Sequence, residues 1–65
     1  MKGTIKVLLG DGRNCGFIRG ENNTDYFFHA SALKNIAFNE LAKGDEVTFE
    51  DTDTEKGPRA EDVYA

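Results

Sequence analysis

His29 and Cys15 are the only imidazole and the only thiol in these 65 residues, and neither has neighbours spaced for catalysis or metal binding. A catalytic histidine needs a nucleophile and an orienting acid, and a zinc site needs several thiolates or imidazoles. What surrounds these two residues is aromatic. Cys15-Gly16-Phe17-Ile18 is followed by a polar turn and then by Asp25-Tyr26-Phe27-Phe28-His29. At the two-residue period of a strand, Cys15 and Phe17 share one face, and Gly16 and Ile18 the other. In the second run Phe27 and His29 point one way, Tyr26 and Phe28 the opposite way. An antiparallel pair of these runs sets two Phe rings and an imidazole side by side. The chemistry of such a surface is stacking, because unpaired nucleic-acid bases lie flat on aromatic side chains spread over a small sheet. Five Phe and two Tyr are the whole aromatic supply, and three of the Phe fall here.

The elements that must position these rings are short strands. Residues 2–9 carry Thr4, Ile5, Val7 and Leu9, residue types suited to a strand. Gly10-Asp11-Gly12-Arg13-Asn14 is a turn of the kind that joins a hairpin. Residues 15–19 make a second strand, residues 20–24 a second turn, and residues 25–29 a third strand. Ser31-Ala32-Leu33 reads as a short helical turn capped by Ser31. A longer connection through Phe38 and Leu41 leads to Lys43-Gly44-Asp45. In residues 46–50, Val47 and Phe49 alternate with polar neighbours, the pattern of a half-buried strand. Asp51 to Lys56 reads as a charged loop, Gly57-Pro58 as a turn, and residues 59–64 as a last strand. Five strands with almost no helix predict an all-β, five-stranded antiparallel barrel, whose closure removes exposed sheet edges.

Length and charge bound the function. The 65 residues predict a single domain, 1–65, with a core of about a dozen side chains and no room for a walled catalytic cleft. One cysteine excludes an internal disulfide, and the longest apolar runs, such as Val7-Leu8-Leu9, are too short for a membrane span or a signal peptide. A cytoplasmic protein with no cofactor and no membrane partner is expected. Residues 1–36 carry five Lys or Arg against three acids, and residues 37–65 carry three against nine. The acidic total argues against phosphate-driven binding to duplex DNA, and leaves stacking on the more basic half open. The acidic half also fits a solvated surface that keeps a small domain soluble.

Taken together, the chain resembles the bacterial cold-shock domain, a five-stranded barrel of the OB type with Greek-key closure that binds single-stranded RNA and DNA. The resemblance rests on Gly3-Thr4-Ile5-Lys6, Gly16-Phe17-Ile18, Asp25-Tyr26-Phe27-Phe28-His29, Ser31-Ala32-Leu33, Leu41, Gly44, Val47, Phe49 and Lys56-Gly57-Pro58-Arg59-Ala60 followed by Val63. Departures fall on the aromatic set. Val7 and Leu8 stand where the family has Trp-Phe, Cys15 where it has a further aromatic, Arg13-Asn14 for Lys-Gly, and Ala30 after the histidine. One residue more than usual separates Lys6 from Gly16.

The resemblance implies a face made of Lys6, Leu8, Arg13, Cys15, Phe17, Phe27, His29, Phe38 and Arg59. Phe17, Phe27 and His29 would stack on bases; Lys6, Arg13 and Arg59 would follow the backbone, with Lys56 a weaker candidate. Each has a plainer alternative. Phe38 fits a loop anchor as well as a platform, Arg59 a solvated strand end, and Cys15 a small apolar filler as well as a half-exposed, redox-sensitive thiol. Stacking contributes about 1–3 kcal/mol per base, so four weakened platforms imply a deficit of about 3–4 kcal/mol, roughly 10²–10³ in affinity. The expected partner is a weakly bound, pyrimidine-rich single strand, the expected state a monomer, and no enzymatic activity is expected. The alternative is a degenerate barrel that no longer binds nucleic acid and serves as a protein-interaction module.

Overall fold

The computed structural model covers residues 1–65. Its strands are β1 (Lys2–Leu9), β2 (Cys15–Gly20), β3 (Asp25–His29), β4 (Glu46–Thr54) and β5 (Gly57–Tyr64), closed into a barrel in the order β1-β2-β3-β5-β4. The all-β barrel of five strands is as expected; its purely antiparallel pairing is not. β3 and β5 meet in parallel, with Phe27 opposite Arg59, while the other neighbours run antiparallel. That contact closes the barrel between strands far apart in sequence, and no local pattern encodes it.

Alternation builds the core. Ile18 pairs with Ile5 on one side and Tyr26 on the other, and all three point inward with Phe28. Val47, Phe49, Ala60 and Val63 complete the interior from β4 and β5, with Leu41 and Ala32 covering it from the connection. Tyr26 packs against Phe49 at 5.1 Å between centroids and accepts a hydrogen bond from Asn22 at its hydroxyl. Gly16 leaves room at the tightest point: a Cβ there would run into the Val7 carbonyl and the Phe28 ring.

Three local features differ from the sequence reading. The helical turn is a 3₁₀ turn over Ala30–Ala32 capped by His29, whose Nδ1 accepts from the Ser31 backbone N–H at 3.1 Å; Ser31 is not the cap. A second 3₁₀ turn, Phe38–Glu40, stands in the connection, and Glu40 accepts from the Ala37 N–H across it. Residues 51–54 are strand instead of loop, so β4 and β5 form a long hairpin that turns at Glu55-Lys56, with Thr54 opposite Gly57. Residues 50 to 56 are all exposed there. With neither face buried, the segment lacks the apolar alternation that marks a strand.

Candidate nucleic-acid interface

Registers across β1, β2, β3 and β5 place the outward side chains in rows. The central row is Val7, Phe17, Phe27 and Arg59. Beside it runs Leu9, Cys15 and His29, and on the other side Thr4, Arg19 and Asp25. The Phe17 and Phe27 rings are half-buried and meet edge to face, 5.8 Å apart with an interplanar angle of 72°. Arg59 closes the row, its guanidinium carbon 5.9 Å from the Phe27 centroid, within cation–π range. With the tip of the β4–β5 hairpin these three side chains enclose a groove of about 330 Å³, whose remaining walls are Thr54, Lys56, Gly57 and Pro58.

A register break between Ile5 and Val7 decides what β1 contributes. Lys6 is the extra residue, and beyond it the alternation reverses. Val7 therefore stands beside Phe17, whereas Leu8, expected on the outer face, lies opposite Gly16 and packs against the core. Lys6 itself donates to Asp25 at 2.6 Å, and Arg19 donates to the other oxygen of the same carboxylate at 2.6 Å. Lys6, and behind it Arg19, hold the Asp25 carboxyl below its ordinary value. Two cations share one anion, so the rim of the aromatic row keeps a positive charge.

The remaining expected residues divide. His29 is exposed at the end of β3; because Nδ1 accepts from the Ser31 N–H, the neutral ring carries its proton on Nε2. Arg13 lies in the β1–β2 turn and grips Asp11 through two hydrogen bonds of 3.0 and 2.8 Å, which holds the Asp11 carboxyl low. Cys15 lies in an outer row, yet it is only 7 % exposed, which corrects the half-exposed thiol of the sequence reading. Phe38, in the connection, is half-buried and packs against the core, with its ring 6.4 Å from that of Phe28 and against Gly10. Lys56 does line the groove. Arg19 and Thr54 join the face without having been singled out, although the period that pairs Cys15 with Phe17 reaches Arg19 next.

A closed five-stranded barrel with an aromatic row on β2 and β3 is a small module of the OB type. The chain belongs to the cold-shock domain family: the family described as "'Cold-shock' DNA-binding domain" matches over residues 1–65. It is similar to Cold shock protein 1 of Lactiplantibacillus plantarum, with 39% identity over 61 residues that cover 94% of this chain and 91% of that one. Cold shock-like protein CspE of Escherichia coli is 39% identical over 66 residues, covering 100% and 94%. Cold shock-like protein CspE of Bacillus anthracis is 44% identical over 63 residues, covering 97% and 92%.

Proposed function

We propose that this protein binds single-stranded RNA or DNA with low sequence specificity, by stacking unpaired bases on Phe17 and Phe27. One observation carries the reading: two half-buried Phe rings set edge to face, with an arginine at the end of their row, bound a groove open to solvent. A planar base fits between such walls, and aromatic stacking tolerates every base because each has a π-face. The His29 Nε2–H is free to donate to a base edge beside the row. Lys6, Arg19 and Lys56 mark the path of the phosphates, with Arg13 an outlying cation already engaged by Asp11.

The mechanism is passive. Holding bases apart opposes hairpin formation in RNA, as an RNA chaperone or a regulator of gene expression requires, and no bond is made or broken. The protein acts as a monomer in the cytoplasm and favours pyrimidine-rich strands bound weakly, since Val7, Cys15 and Ala30 supply no ring. A relative with the full aromatic set is expected to bind roughly 10²–10³ more tightly.

An NMR titration with oligo-dT and oligo-U heptamers at low salt tests the reading. Shifts are expected in β2, β3 and Gly57 to Arg59, and Phe27→Ala is expected to weaken binding about 5- to 150-fold while leaving the fold intact. No shift at high oligonucleotide concentration would refute it and favour the protein-interaction alternative.

A further inference from the structure

Arg59 carries a donor that the folded chain leaves unused. Its Nε is buried and has no hydrogen-bond partner. Glu61 Oε1 is the nearby carboxylate oxygen, at 3.5 Å, an ion-pair distance without a hydrogen bond. A buried N–H without an acceptor is unfavourable, and a guanidinium has five N–H groups in a rigid fork. Nε itself is closed to solvent, so what this guanidinium offers, over Phe27 on the wall of the groove where a base is proposed to lie, is its terminal Nη pair.

The other polar side chains of that groove sharpen the selection. The Thr54 hydroxyl donates to the Gly57 carbonyl at 2.8 Å and accepts from the Lys56 N–H at 3.2 Å, so its proton is committed and one lone pair remains. Lys56 offers only donors, and Pro58 has no backbone N–H. The lining side chains thus present mainly donors, against the one lone pair left on Thr54. A base edge with two adjacent acceptors complements that lining; an exocyclic amine does not.

Resting on the reading above, we infer that Arg59 is a specificity-determining residue that selects guanine over adenine at the base seated against Phe27. Guanine presents O6 and N7 side by side, the pair an arginine fork meets in two parallel hydrogen bonds. Adenine keeps N7 but replaces O6 with the N6 amine, a donor facing a donor. The two purines present ring faces of the same size to Phe17 and Phe27, so their difference isolates the edge. Sequence tolerance holds for the other bases, and one position in the bound strand is read.

The experiment compares dT heptamers with a single dG or a single dA at the central position, titrated against the wild type, Arg59→Met and Arg59→Lys. The wild type is expected to bind the dG strand about tenfold or more tightly than the dA strand. Arg59→Met keeps an apolar stem over Phe27 without the donors, and is expected to bring the ratio to about one. Arg59→Lys keeps the charge without the fork, and is expected to lose most of the ratio. A wild-type ratio within twofold, or a ratio that survives in Arg59→Met, overturns the inference while binding of the all-dT strand upholds the stacking reading. Failure to bind any of the three strands overturns both.

Discussion

Asp25 shows how much one side chain controls at this surface. Its carboxylate is the only acid in contact with Lys6 and Arg19, and both hydrogen bonds hold its pKa down. A carboxyl whose folded value lies below its unfolded one contributes stability at all pH values above the unfolded value, and that contribution is lost as pH falls through the folded value. The ordinary value is 3.8, so the loss belongs to the acid side of it. Asp25→Asn is therefore expected to lower the thermal midpoint at neutral pH, with the gap to the wild type closing below pH 3.8. Melting curves recorded across that range check it, and a gap that stays constant into strong acid would contradict it. The same substitution frees two cations beside the aromatic row, so it should also tighten oligonucleotide binding. Loss of fold and gain of ligand move in opposite directions here, which a damaged structure could not produce.

Among the elements, the β4–β5 hairpin makes the sharpest demand on sequence. Gly57 has φ +113°, a conformation that side chains with a Cβ rarely adopt, and it sits where the hairpin tip becomes a groove wall. Gly57→Ala is expected to cost about 1–2 kcal/mol of stability, read from the urea midpoint, and to weaken oligonucleotide binding as well. An unchanged midpoint would show that the tip bends freely. This hairpin is also where sequence reasoning stopped short. β1 to β3 were readable because one face of each meets the core and the other meets solvent, so Ile5, Ile18, Tyr26 and Phe28 announce the inward side. Residues 51 to 54 meet solvent on both faces and announce nothing. Within the site, Phe17 and Phe27 followed from strand period alone, and the structure sets them in one outward row. Leu8 did not follow, because the register break at Lys6 reverses the alternation without any marker in composition. The burial of Cys15 did not follow either, for a related reason: how far a side chain is covered depends on contacts between segments distant in sequence.

Across the whole molecule, the distribution of charge sets how a polyanion can approach. Six of the nine acids of the second half stand exposed on β4 and β5, where Glu50 faces Glu61 directly across the hairpin. Like charges directly opposite one another destabilise a pair of strands, and these also repel a phosphate backbone from that side. On the proposed reading, a single strand is thus confined to the β1-β2-β3 face and the hairpin tip. The cations there are partly cancelled: Asp25 offsets one of Lys6 and Arg19, and Asp11 offsets Arg13. Arg59 lies 3.5 Å from Glu61 and Lys56 has no ion-pair partner, which leaves about two positive charges effective toward phosphate. For single strands the logarithm of the binding constant falls with the logarithm of salt by about 0.7 per phosphate neutralised, so a slope near −1.4 is expected. Titrations between low and moderate salt measure it. A slope of about −3 or steeper would mean that phosphates, not bases, hold the strand. A slope near −1.4, together with affinity lost in Phe27→Ala at every salt concentration, is the signature of a surface that grips rings and only guides charge.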